Sequence, residues 1–444
     1  MGMMRNGWLA ATVVGLCLGY GCGGDGDGQP GTGGTGGSGG SGGNVGGSGA
    51  TGAGGSAPGG GGVGGADCPE TTLPGSIDGV EPESMANHAP LIDDNGNLYR
   101  MLETPSSDGN NPKMMKSSDG GQTWAEVDAG NRPSSSDLEG TYQLRVGSTI
   151  YFSHTRGPRV WFFAFNTSDA ASNPDSWLPT EDVDENLTSG GVVQYSSLTQ
   201  TADGQFWIFY SDLLIDDRQQ IAYRRRIAAD DYGPKSKIGA DSGEWTGPRA
   251  VLGDGDVTHV FYKDHENHEL LWRTLSADGT LSGATRIDAG GTSMVPVPHT
   301  NPVVRMEGGQ EVIVVGYTGA DDTLKAVTIT DGNVGPEEQV SVDPVLQDAP
   351  VVANEGAVAH LSLHGSTVHA AWTDETTGDI RHSATSGGGS WSTEQSLWSS
   401  DGEEALYVYC SVIEDGCDRL ACTYDIGPHE DDTGQVEYLE HVLR

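Results

Sequence analysis

Residues 205–212 read QFWIFYSD, and the turn Ala202-Asp203-Gly204 comes directly before them. Aromatic and β-branched side chains favour a strand here. Asp followed by Gly suits a tight hairpin turn, because Gly accepts a positive φ without a Cβ clash. The same arrangement recurs as NLYRML (97–102), TIYFSH (149–154), THVFYKD (258–264), EVIVVGYT (311–318), TVHAAWTD (367–374) and DRLACTYD (418–425). The turns ahead of these are DDNG, VGS, GDGD, EGGQ, HGS and EDGC, and successive motifs lie 51–56 residues apart. An apolar strand precedes each motif and a third strand follows it, so a four-stranded antiparallel unit fills the period, as in a propeller blade. The fold class read from this pattern is all-β, a β-propeller. Seven motifs imply seven blades, with six as the alternative because the first and last units are irregular. The last unit runs 405–412, 418–425 and 435–443, one strand short. The segment 68–80 is expected to supply that outer strand and join the two ends of the ring. Sustained 3.6-residue amphipathic periodicity is absent after the N-terminal segment.

The 444-residue chain contains 69 Gly, concentrated between Gly23 and Gly65 in runs such as GTGGTGGSGGSGG. With almost no large apolar side chains to offset ordering entropy, residues 23–66 are expected to form a flexible tether. Its reach is roughly 35–40 Å, from ~5–6 Å × √n. Upstream, Arg5 and the short apolar run WLAATVVGLCLG read as a targeting segment over residues 1–22. The sequence Gly19-Tyr20-Gly21-Cys22 resembles a bacterial lipoprotein lipobox, although Gly19 stands where that family usually has Leu. The alternative is an ordinary secretory signal. Both imply export, and a lipid on Cys22 would anchor the domain 67–444 to the outer membrane or cell surface, as in surface lipoproteins of myxobacteria. Cys68, Cys410, Cys417 and Cys422 remain in an oxidising compartment and are expected to form two disulfides. Three connectivities are open, and a bridge from Cys68 would tie the domain's ends together.

The formal net charge is −40, from 63 acidic and 23 basic residues. Such a field repels nucleic acid and anionic lipid, and at long range sulfated or sialylated glycans unless a local basic site overcomes it, so nucleic acid is not an expected partner. No P-loop, GxSxG, HExxH or zinc-ligand spacing is present.

The octet Ser117-Ser118-Asp119-Gly120-Gly121-Gln122-Thr123-Trp124 resembles the Asp-box, or bacterial neuraminidase repeat, of sialidase-like propellers. ATSGGGSW (384–391) is a degraded copy with Ser386 in place of Asp. The resemblance implies a turn between a blade's third and fourth strands, on the outer rim. Ser and Asp side chains would accept turn N–H groups, with Trp124 packed beneath. Exo-sialidases also carry an Arg-Ile-Pro motif in the first blade. At the corresponding place stands Asn87-His88-Ala89-Pro90, and an imidazole does not replace the bidentate guanidinium of a carboxylate clamp. The resemblance therefore supports the fold and disfavours a true exo-sialidase.

Ligands of propellers bind at one mouth of the central channel, where first strands begin and second strands end. The polar residues counted to the beginnings are His88, Glu139 with Tyr142, Tyr195, Glu244, His299 and Glu404. Those at the ends are Glu103, His154 with Arg156 and Arg159, Asp212, Asp264 with His265, Asp374 and Asp425. Two reactions can be drawn from them. Glu103 and Asp374 would serve hydrolysis as a carboxylate pair, about 5–10 Å apart. A His and a Tyr would serve elimination from a uronic acid polymer, with an Arg neutralising the carboxylate. His88, His154, Arg156 and Tyr142 are the candidates for that chemistry. In Tyr223-Arg224-Arg225-Arg226, alternation puts Arg224 and Arg226 on one face, with Asp230 and Asp231 as expected partners. No cofactor is expected, and GDGDV (253–257) offers only a partial match to a structural calcium loop. The sequence thus describes an exported, tethered, monomeric propeller that acts on a carbohydrate polymer or glycoconjugate as a hydrolase or lyase. The alternative is a non-catalytic glycan- or protein-binding propeller.

Overall fold

The computed structural model describes residues 75–76, 85–86, 89–103, 113–127, 142–156, 159–168, 176–184, 195–213, 219–239, 243–295, 299–346, 359–387, 389–399, 404–414, 417–427 and 435–443. The targeting segment, the tether and Cys68 lie outside them. The strands form seven separate antiparallel sheets. Blade 1 contains β2 (Met85–Ala86) and β3 (Leu91–Ile92), both paired to β4 (Leu98–Glu103), then β5 (Lys113–Ser117) and β6 (Ala125–Glu126). Blade 2 runs from β7 (Tyr142–Val146) through β8 (Thr149–Arg156) and β9 (Arg159–Asn166) to β10 (Glu181–Asp184). Blade 3 is β11 (Ser196–Gln200), β12 (Phe206–Leu213) and β13 (Gln219–Ala228), with β14 (Asp231–Tyr232) and β15 (Ser236–Lys237) outside. Blade 4 is β16 (Trp245–Leu252), β17 (Thr258–Asp264), β18 (Glu269–Leu275) and β19 (Thr285–Arg286). Blade 5 is β20 (Val303–Glu307), β21 (Gln310–Thr318), β22 (Thr323–Thr330) and β23 (Asn333–Pro344). Blade 6 is β24 (His360–His364), β25 (Thr367–Thr373), β26 (Ile380–Ser386) and β27 (Gln395–Trp398). Blade 7 takes β28 (Glu404–Ile413), β29 (Arg419–Gly427) and β30 (Gln435–Val442) from the chain's end.

The chain is a seven-bladed β-propeller, and each repeated motif forms the second strand of a blade. The six-bladed alternative is thereby removed. Blade 7 is completed by β1 (Gly75–Ser76), which pairs with β30 in the register Gly75↔Tyr438 and Ser76↔Glu437. That strand lies inside the segment expected to close the ring. Asp254–Asp256 forms a 3-10 turn, and among the described residues no helix is long and apolar enough to cross a membrane.

The second strands are largely apolar because each is covered on both sides. In β12, Phe206, Ile208 and Tyr210 pack against blade 2, while Trp207 and Phe209 pack against blade 4. In β4, Leu98 and Leu102 face blade 7, while Tyr99 and Met101 face blade 2. A period of two within a doubly buried strand leaves no polar face to read. Burying each such aromatic or aliphatic side chain stabilises by about 1.5–3 kcal/mol. The ring closes where Trp124 and Met115 of blade 1 meet Ile413, Ala421 and Tyr438 of blade 7.

The octet 117–124 forms the turn between β5 and β6. Asp119 Oδ1 accepts the Ser117 hydroxyl at 2.8 Å and the Thr123 N–H at 2.9 Å, and Oδ2 accepts the Thr123 hydroxyl at 2.6 Å. Gly121 has φ +87°, and a Cβ there would meet the Tyr438 ring at 2.2 Å. Trp124 donates its indole N–H to the Gly121 carbonyl at 3.1 Å and meets Tyr438 edge-on at 5.6 Å. The octet thus fastens a turn and also supplies the ring's closing contact.

Cys410 and Cys422 form a cross-strand disulfide between β28 and β29. Cys417, between those strands, is also disulfide-bonded, with its other half outside the described residues. The arginine run departs from expectation in its partners. Arg226 grips Glu181 of blade 2 through Nε at 2.8 Å and Nη2 at 2.5 Å, and Arg225 reaches Asp203 at 3.1 Å. Asp230 instead gives its backbone N–H to Glu181. The aligned face of β13 points across to β10, so the acids nearest in sequence are not those nearest in space.

Candidate functional site

One mouth of the channel collects the beginnings of first strands and the ends of second strands. Tyr142 is the first residue of β7 and His360 the first of β24. His299 precedes β20 and bridges to Tyr317. Arg249 lies in β16 just past a bulge between Thr246 and Arg249, which shifts its register against β17. Its Nη1 donates to the Ser196 carbonyl at 3.3 Å. The Arg249 charge is felt by Tyr142, His299 and His360 together, which makes it the common neighbour of all three.

The protonation states of the three follow from their surroundings. Desolvation pushes the Tyr142 phenol up, against the smaller opposing pulls of Arg249 and the Ser197 hydroxyl, so it keeps its proton at neutral pH. Burial, reinforced by Arg249, holds His299 down at about 3 and His360 at about 4. Both are neutral at pH 7. His360 donates one ring N–H to the backbone of Cys410, and its buried Nδ1 has no hydrogen-bond partner. The tautomer this implies leaves Nδ1 with a lone pair. Tyr142, Arg249 and His360 retain partial exposure, whereas His299 is buried. Around the same mouth, buried polar atoms without protein partners accumulate: Thr155 Oγ1, Ser211 Oγ, Gln219 Oε1, Ser293 Oγ and Thr373 Oγ1.

The sequence candidates fall into three groups. His88 and Glu139 lie outside the described residues, as do the side chains of Glu103, Arg156 and Glu404. Tyr142 and His299 are brought together at Arg249. The others are placed elsewhere or committed. His154 is buried on the blade 1 side of β8 and stacks on Trp161 at 5.6 Å. Asp374 is buried, accepts the Thr376 and Thr377 N–H groups at 2.8 and 3.1 Å, and faces Arg381 Nε at 3.4 Å. Asp212 pairs with Lys235 at 2.7 Å, and Asp264 accepts Asn267 N–H groups at 3.1 and 2.8 Å. Arg159 forms a surface pair with Asp182 at 3.7 Å. In the GDGD turn, Asp256 accepts the Ala202 N–H at 2.8 Å. Among the described residues no three His, Cys, Asp or Glu side chains are arranged to hold a metal ion.

Arg249 and His360 were not among the sequence candidates. The bulge in β16 adds one residue against β17, and Arg249 lies five residues beyond the counted Glu244. Counting back from the regular strand LSLH would have reached His360, since it begins that strand.

No family model matches the sequence, and no curated protein matches it. Solved structures do. An α-L-arabinanase of Penicillium chrysogenum complexed with arabinobiose is 13% identical over 84% of this chain and 99% of that one, with a TM-score of 0.46. The family 93 α-L-arabinofuranosidase of Fusarium graminearum with arabinobiose is 16% identical over 68% and 93%, with a TM-score of 0.46. A family 25 ulvan lyase bound to a GlcA(1-4)Rha3S oligosaccharide is 11% identical over 81% and 92%, with a TM-score of 0.48. At these scores the similarities assign no reaction to this chain.

Proposed function

We propose that the protein cleaves an acidic polysaccharide by β-elimination at the mouth that holds Tyr142, Arg249, His299 and His360. The observation that carries this reading is that one guanidinium acts electrostatically on both a neutral imidazole and a protonated phenol, each the first residue of a blade's first strand. Arg249 would neutralise the uronate carboxylate and so acidify the adjacent C5–H. His360 Nδ1 takes that proton, the C4–O4 bond breaks as a C4=C5 double bond forms, and the Tyr142 phenol protonates the departing oxygen. Solvent then returns the proton from His360 to Tyr142. Hydrolysis has less support, because Asp212, Asp264 and Asp374 are spent on turns and ion pairs. The same proposal places the domain outside the cell, monomeric, on its Gly-rich tether, with Cys22 as the anchor.

The test is a panel of uronate-containing and neutral polysaccharides incubated with the full chain. Reducing ends and the ultraviolet absorbance of unsaturated products are read in parallel. Elimination raises both signals, and His360→Ala and Tyr142→Phe abolish both. Reducing ends without absorbance would show hydrolysis, and binding without either signal would leave a binding module.

A further inference from the structure

We propose that Arg100 anchors a second anion subsite, at the seam between blades 1 and 7, that takes a carboxylate or sulfate of a bound acidic sugar. It rests on the mouth being the ligand site, not on elimination being the reaction.

Arg100 sits in the middle of β4 on the face shared by Leu98 and Leu102, the face turned to blade 7. It is 1% exposed, and Nε, Nη1 and Nη2 all lack a hydrogen-bond partner. A buried guanidinium with every donor unfilled is rare and costly, since buried charges are ordinarily both paired and hydrogen-bonded. The other buried arginine, Arg305, and the partly exposed Arg226 and Arg419 are each paired with an acid. Arg226 grips Glu181, Arg305 contacts Glu307 at 2.7 Å, and Arg419 contacts Glu440 at 2.6 Å.

The surroundings of Arg100 point to a ligand rather than to a missing protein partner. Desolvation is the largest influence on the guanidinium and pulls it down to about 9, while Asp425 and Tyr409 oppose it without restoring its ordinary value. The positive charge is therefore compensated only in part, and its planar fork of donors matches a carboxylate or sulfate. Tyr409 lies edge-on to His360, with ring centroids 6.0 Å apart. Both rings keep partial exposure, and Tyr409 is the partly exposed neighbour whose electrostatic influence reaches Arg100. Arg249 acts electrostatically on His360, His360 meets Tyr409, and Tyr409 acts on Arg100, so successive neighbours link the two cations from blade 4 to blade 1. A sugar chain lying along these neighbours would present one anionic group to each cation.

Isothermal titration of the full chain with sodium sulfate and with free glucuronate, at constant ionic strength, tests the subsite. The expected result is two saturable sites. Arg100→Met removes one, and Arg100→Lys, which keeps the charge but loses the fork, weakens it at least tenfold. If Arg100→Met does not fold, Arg100→Lys carries the test. Binding in either folded variant equal to the wild type in number and affinity overturns the proposal. No saturable binding by the wild type also overturns it, since the seam then holds water alone. Anion binding at both sites without polysaccharide cleavage would remove elimination and leave the subsite standing.

Discussion

His369 Nδ1 and His382 Nε2 face each other at 3.0 Å on neighbouring strands of blade 6, with their rings stacked 5.3 Å apart. One proton lies between two nitrogens, so at least one ring must be neutral. His364 and His441 extend the row at 6.2 and 5.4 Å, and His364 in turn meets Asp418 at 2.8 Å. Burial and the neighbouring imidazoles hold His369 at about 4 and His382 at about 3, below the ordinary 6.5. The folded state therefore binds fewer protons than the unfolded chain. This contribution is complete above pH 6.5 and is lost as pH falls toward the folded values. The unfolding free energy of the wild type, from urea titrations, should drop more steeply between pH 7 and pH 4 than that of His369→Leu/His382→Leu, by on the order of 3 kcal/mol. Equal slopes would sink the idea.

Trp124 and Asp119 belong to one octet but should differ in weight. Trp124→Ala removes a buried ring from the joint between blades 1 and 7, with an expected loss of about 3–5 kcal/mol. Asp119 is exposed, and Asp119→Ala should cost about 1 kcal/mol through the turn's hydrogen bonds. Gly121→Ala should cost more than Asp119→Ala, because it combines a positive φ with a clash on Tyr438. Chemical denaturation of the three variants gives the order directly.

The Cys410–Cys422 bridge spans 12 residues within blade 7. By loop entropy its removal in Cys410→Ala/Cys422→Ala should cost about 3 kcal/mol. The midpoint of unfolding should fall while cleavage of a substrate by the folded fraction is unchanged.

Activity should separate the two groups of candidates. His360→Ala is expected to lower kcat by at least 100-fold, the usual range for a proton-transfer group. Asp374→Asn should unsettle the turn at Thr376 and Thr377 and leave kcat within a few-fold of the wild type. Comparable losses in kcat for both would put the reaction elsewhere on the mouth.

The architecture was legible because second strands are compressed between neighbours, and doubly buried strands such as β12 print as unbroken aromatic runs. The turns were legible for a local reason: Gly204, with φ +82°, sits where Asp-Gly was expected to bend the chain. The site was legible only in part. Tyr142 and His299 stand where counting along the repeat put them, but Arg249 is displaced by a bulge that has no signature in composition. Arg100 was invisible for a different reason. A charged residue inside the apolar motif NLYRML reads as a surface position on an alternating strand, and only the packing of blade 7 against it removes the surface.

The pairing of Gly75–Ser76 with β30 also fixes an order of events. The strand that finishes the propeller leaves the ribosome among the first and has no partner until the final blade is made. Closure of the ring therefore waits until blade 7 has been made, under the slow kinetics of a contact between distant parts of the chain.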